Sequence, residues 1–164
     1  MNLRLSFPST SHALLALMLT GAGTLAAAND DAQVRDARSA RGEAVLTALN
    51  NGKPQPVFEA MRLDFPFLAD ATAGYALGDV WGCDGLDVRT RQLAAMAAFG
   101  ALGLRPFFKT HAAHALNAGV SPEELKEIVY LITVPAGFPR AIEASQTLHE
   151  LFVERGIVLK ATGQ

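Results

Sequence analysis

His111 and His114 are the two residues of this 164-residue chain whose type and spacing most directly suggest chemistry. A separation of three places both imidazoles on one face of a helix. Phe107, Phe108, Ala112, Ala115 and Leu116 surround them in sequence. Apolar surroundings depress a histidine's pKa and can poise it for proton transfer near neutrality, as a general acid or base requires. The same spacing also suits one buried and one solvated structural histidine. As a metal pair they lack a third ligand, and the histidine and cysteine spacing fits no structural zinc site.

Two carboxylates come next. Glu127 borders an apolar helical stripe and Glu143 follows a Gly-Phe-Pro turn, so either is placed to orient a histidine or simply to face water. Arg89 and Arg91 fall in the first turn of an expected helix, where the helix end already favours anions. A guanidinium there matches a carboxylate, and Arg140 has the same standing at the start of the last helix. Cys83 is the lone cysteine, which excludes an internal disulfide or a CxxC pair. It sits between Gly82 and Asp84, and nearby negative charge disfavours its thiolate.

The elements that must position these groups are helices. Half the residues are hydrophobic and 18% are charged, enough for a packed core in one domain. The net charge of -2 gives no electrostatic footprint for nucleic acid. Helices are expected over 34–50, 56–63, 67–81, 88–102, 107–118, from Pro122 to just before Pro135, and over 139–155. Asn50-Asn51-Gly52 ends the first. On the 67–81 helix, Leu68, Ala71, Tyr75 and Val80 are spaced to form one apolar face. Asp87 is an N-cap for the 88–102 helix, which is expected to bury Leu93, Met96, Ala97 and Gly100. Pro106 fits a first helical position and Gly119 a C′ position. Ser121-Pro122-Glu123-Glu124 is a capping box, and Leu125, Ile128, Val129 and Ile132 follow at helical spacing. Nothing alternates with period two for long, so the fold class is all-α, about six helices with short connections.

The N-terminus reads as a targeting segment. Arg4 precedes the apolar run Ala13–Leu19, and Leu25-Ala26-Ala27-Ala28 supplies small residues before polar Asn29-Asp30-Asp31. The expectation is a signal peptide over 1–28, a lead-in over 29–39, a domain over 40–158 and a tail over 159–164. The cleaved protein would be periplasmic or secreted, with no membrane span remaining, since the apolar run is short for one.

Taken together, Gly78-Asp79-Val80-Trp81, Gly85-Leu86-Asp87-Val88-Arg89-Thr90-Arg91, the run from His111 to Leu125, and Gly137-Phe138-Pro139 resemble the carboxymuconolactone decarboxylase family over roughly residues 40–155. The resemblance implies an all-α, alkylhydroperoxidase D-like helical bundle that forms homo-oligomers, often trimers or hexamers. One branch decarboxylates 4-carboxymuconolactone without a cofactor. The other reduces peroxides with a CxxC pair whose cysteines precede a histidine by seven and four residues. With His111 as that histidine, those positions hold Leu104 and Phe107, and the glutamate twelve residues before the first cysteine falls at Gln92. The dithiol is absent, so the decarboxylase branch fits better. It implies a small-molecule substrate, no metal, His111 as the acid with His114 or Glu127 as its partner, and Arg91 holding a carboxylate. Trp81 and Phe138, within the matching segments, are the further substrate-binding candidates. A peroxide-reducing enzyme and a non-catalytic small-molecule-binding oligomer are the competing readings.

Overall fold

The structure, a computed structural model, describes residues 11–158, with side chains from residue 29 onward. Part of the expected signal segment (1–10) and the 159–164 tail lie outside the described residues. Six α-helices follow in order: α1 Ser11–Leu49, α2 Pro56–Asp64, α3 Pro66–Ala71, α4 Val88–Leu102, α5 Arg105–Asn117 and α6 Pro122–Glu154. A π-helical segment, Thr72–Trp81, continues α3 without a break. No strand occurs among the described residues, so the fold is all-α as expected.

The helix expected over Val34–Asn50 is the last part of α1, which also takes in the 29–39 lead-in. No proline lies between Pro8 and Pro54 to stop it. Its far end is where the Asn-Asn-Gly signal placed it. Asn51 and Gly52 take positive φ (53° and 76°), Gly52 N–H donates to Thr47 O at 2.8 Å, and the Asn50 side-chain amide donates to the carbonyls of Lys53 and Pro54.

α1 and the π-helical segment pack backbone against backbone. A Cβ on Gly42 would lie 1.9 Å from Ala73 O, and one on Gly78 would lie 2.3 Å from Arg38 O. Only glycine permits that approach. It also corrects the expected face of this helix. Leu68, Ala71, Tyr75 and Val80 point outward, whereas Ala69, Ala73, Gly74, Leu77 and Gly78 are buried. The small residues win the inner face because large ones would hold the two backbones apart. Arg38 and Arg41 close the contact from α1 by pairing with Asp79.

The second half is built from α4, α5 and α6. Asp87 caps α4 by accepting from Thr90 N–H at 2.9 Å, and Gly103 ends it in the left-handed region at φ 73°. Ser121 and Glu124 form the expected capping box at the start of α6. The expected stop at Pro135 and restart at Pro139 become one kink. Helical geometry persists through both prolines and breaks only at Gly137, at φ 79° and ψ 168°. The core of this half joins Met96, Phe108, Ala112, Ala115, Leu125, Val129, Ile132, Leu148, Leu151 and Phe152. A smaller core of Phe58, Ala69, Ala73 and Leu77 serves the first half. Few polar groups cross between the halves: the Asn117 amide donates to Leu49 O at 2.8 Å, and Arg91 reaches back to the end of the π-helical segment.

Candidate functional site

The seam between the two halves is where the candidate chemistry gathers. The π-helical segment ends on Trp81, whose indole stacks on the His111 ring with centroids 5.2 Å apart and planes 17° from parallel. On α4, Phe99 stacks on the same imidazole at 5.0 Å and 24°. From α5, His114 meets it edge-on at 5.9 Å. Three elements therefore pack aromatic surface around one imidazole, and Phe107 extends the stack by packing on Phe99 at 5.4 Å.

The polar contact of this ring comes from Gln92. Its Oε1 lies 2.8 Å from His111 Nδ1, while the Gln92 residue is fully buried on α4. Burial pushes the His111 imidazole down to about 4, with the positive charge of a protonated His114 adding to the effect. His111 is consequently neutral at pH 7, with one ring nitrogen carrying a proton and the other offering a lone pair. His114 is also pushed down, first by burial and then by the charge of Arg155. It is 4% exposed, and neither of its ring nitrogens has a hydrogen-bond partner among the described residues. Gln92 Nε2 is likewise buried without a partner among the described residues. Each such group costs about 1–3 kcal/mol relative to a satisfied one, a cost that concentrates at functional sites.

Arg91 stands beside this cluster, its guanidinium 5.8 Å from the centre of the Trp81 ring. Its terminal nitrogens donate to the carbonyls of Val80 (2.8 Å), Cys83 (2.8 Å) and Leu86 (3.2 Å). Arg91 thus ties the turn between the π-helical segment and α4, satisfies carbonyls that a helix end leaves free, and fixes Trp81 over His111. A carboxylate would meet its charge next to the indole.

The structure brings together Trp81, Arg91, His111 and His114. It does not bring in Glu127, which is exposed on α6 with no side-chain hydrogen bond among the described residues, or Phe138, which is 71% exposed at the α6 kink. Arg89 pairs with Glu124, joining the starts of α4 and α6, and Arg140 pairs with Glu143 at 2.9 Å. Cys83 is exposed, its thiol donating to Asp79 O at 2.9 Å. Among the described residues no three histidine, cysteine, aspartate or glutamate side chains converge as a metal site would need.

Sequence reasoning missed the functional placement of Gln92 and Phe99. A signal for the first was present. Gln92 stands four residues before Met96 and eight before Gly100, on the buried stripe of α4. A polar residue on a buried stripe needs a partner, and His111 is that partner.

A curated 4-carboxymuconolactone decarboxylase from Acinetobacter baylyi is 35% identical over 83 residues, covering 51% of this chain and 62% of the relative. The chain thus matches about three fifths of that protein's length. The model of the carboxymuconolactone decarboxylase family matches residues 66–150, more than half of the sequence and every one of the clustered side chains. The chain belongs to the carboxymuconolactone decarboxylase family.

Proposed function

We propose that this protein is a cofactor-free carboxy-lyase acting on a small carboxylated lactone or a related acid, with His111 as the group that handles the proton. The observation that carries this reading is the His111 imidazole itself, stacked against Trp81 and Phe99 and hydrogen-bonded to a buried amide.

Loss of carbon dioxide breaks the bond between the carboxylate carbon and its neighbour. The electron pair moves into the unsaturated lactone, and a proton must later arrive at carbon. In the resting protein His111 is neutral and has no surplus proton to give. A substrate carboxylate bound beside it favours the imidazolium form and raises its pKa. Binding therefore draws one proton from solvent onto His111. The bond then breaks, carbon dioxide departs, and the imidazolium delivers its proton to the carbanionic carbon, returning to neutral. Proton and electron pair balance with no other reactant. The aromatic walls exclude water and strengthen the charge interaction that drives the cycle. Arg91 provides a positive charge for the carboxylate, and His114 is the neighbouring group through which proton and charge can redistribute.

Two further parts of the proposal concern assembly and place. Large apolar side chains stay exposed along the α6 kink (Tyr130, Leu131, Val134, Phe138 and Ile142) and along the outer face of α3 and the π-helical segment. Contiguous apolar surface of this kind marks association, which supports a homo-oligomer, trimer or hexamer; sedimentation equilibrium reads the mass. The N-terminal residue pattern supports export, and an N-terminus at Asn29 in protein recovered from the periplasm or medium checks it. The lyase reading is tested by following carbon dioxide release from 4-carboxymuconolactone and related carboxylated lactones. Release by the wild type and its loss in His111→Gln are expected; retention of an unchanged ligand points instead to a binding protein.

A further inference from the structure

Stacking by Trp81 and Phe99 fixes the plane of the His111 ring, but it does not decide which nitrogen carries the proton. That choice falls to hydrogen bonding at the ring edge. Gln92 Oε1 lies 2.8 Å from Nδ1. An amide oxygen only accepts, so the contact is a hydrogen bond when Nδ1 carries the proton. We infer that Gln92 is the positioning residue that holds His111 in its Nδ1–H tautomer, leaving Nε2 as the bare, proton-accepting atom offered to substrate.

Three observations converge on this assignment. Gln92 is 0% exposed, so its amide is held by packing and does not exchange its bond to His111 for one to water. Its other amide atom, Nε2, makes no hydrogen bond among the described residues, so no network there accounts for a buried amide at this position. Trp81 and Phe99 both stack on the ring, with centroids 5.2 and 5.0 Å away, and hinder rotation away from Gln92. The charged or titratable groups about the ring are few. His114 lies edge-on within α5, Arg91 lies beyond Trp81 from the start of α4, and Arg155 acts on His114 from the end of α6. No carboxylate among the described residues bonds to the imidazole. An amide at residue 92, rather than an acid, therefore selects a tautomer without favouring the imidazolium, so the proton arrives only with an anionic substrate.

This inference rests on the lyase reading for its consequence in turnover, but its primary test does not. Nitrogen chemical shifts of uniformly 15N-labelled full-length protein, with His111 assigned by difference against His111→Gln, report the tautomer directly. The wild type at pH 7 is expected to show a protonated Nδ1 and a pyridine-like Nε2. Gln92→Leu is expected to shift the population toward Nε2–H, and Gln92→Glu to raise the His111 pKa by at least about one unit, because a carboxylate favours the charged ring. Gln92→Asn, which keeps the amide but shortens its reach, covers the case in which the leucine variant fails to fold. It too is expected to loosen the tautomer. On any substrate the wild type turns over, Gln92→Leu should lower kcat by at least about tenfold, part of the roughly hundredfold or more that a positioned proton-transfer group contributes, with a smaller change in KM. An Nε2–H tautomer in the wild type, or an unchanged tautomer in both Gln92→Leu and Gln92→Asn, overturns the inference. A confirmed Nδ1–H tautomer in a protein that releases no carbon dioxide would leave the inference standing and remove the lyase reading.

Discussion

Trp81 and His111 stack face to face, 5.2 Å apart and 17° from parallel, although they belong to different halves of the molecule with separate hydrophobic cores. The contact is at once a structural join and one wall of the site. It makes the state of His111 depend on how the π-helical segment ends. Replacing Trp81 by Ala should open one face of the imidazole to water. Since burial is the main cause of the depressed His111 pKa, the titration midpoint of that ring should climb from about 4 toward its ordinary value of 6.5. Trp81→Phe should keep it low. An NMR titration of the histidine ring protons decides the matter, and a midpoint unmoved in Trp81→Ala would detach the stack from the pKa.

The same shift predicts a pH dependence of stability. In the unfolded chain His111 has its ordinary pKa, so between pH 6.5 and 4 the unfolded state binds more protons than the folded one. Stability therefore rises with pH across this window and falls as pH drops through it. The contribution of this one ring is at most about 3–4 kcal/mol, from about 1.4 kcal/mol per pKa unit over the shift from 6.5 to about 4. His111→Phe, which preserves an aromatic ring in the stack, should flatten the urea-unfolding free energy over that range. An equally steep dependence in the variant would assign the effect elsewhere.

His114 offers a contrast between stability and function. Both its ring nitrogens are buried without a partner among the described residues. Replacement by Met keeps comparable bulk and removes two unsatisfied polar atoms. His114→Met should raise the unfolding free energy by roughly 1–2 kcal/mol, while lowering turnover if proton movement passes through this pair. A clear loss of stability on chemical denaturation would mean that His114 is satisfied in solution.

The close approach of α1 to the π-helical segment makes a third structural prediction. Gly42→Ala introduces a Cβ that would sit 1.9 Å from the carbonyl oxygen of Ala73 and 2.9 Å from Gly78 N. Neither partner is a movable side-chain end, so the backbones must separate. A loss of about 1–3 kcal/mol or more is expected, together with weakened packing of Trp81 on His111. Gly85→Ala is the control, because a Cβ there meets nothing within 4 Å and the backbone φ is not positive. Comparable melting temperatures for the two variants would contradict the packing account.

Much of the fold was legible because helix ends are written locally. Asp87 with Thr90, Ser121 with Glu124, and Asn50 through Gly52 each satisfy backbone groups within a few residues, and each behaves in three dimensions as its spacing suggests. The family segments were legible too, and they brought Trp81, Arg91, His111 and His114 into one neighbourhood. What stayed hidden depends on partners distant in the chain. The inner face of the 66–81 stretch is set by Gly42, which lies 31 residues before Ala73. The near-helical spacing of Leu68, Ala71, Tyr75 and Val80 therefore indicated the outer face instead. Arg91 looked like a free anion receptor because the three carbonyls it holds are brought to it only by the turn around Cys83. Gln92 showed only as a polar residue on the buried stripe of α4, and its role stayed hidden because its partner lies 19 residues away on the next helix.

The most direct test of the account measures carbon dioxide release and proton uptake together. Purified wild-type protein and His111→Gln are each mixed with 4-carboxymuconolactone in a lightly buffered solution without added cofactor. The account predicts that the wild type releases carbon dioxide, consuming one proton from solvent for each molecule released as carbon dioxide, and that His111→Gln releases none while keeping its helical spectrum. Equal release by the two proteins would contradict the role given to His111. Failure of the wild type to convert this or any related carboxylated lactone would contradict the lyase itself.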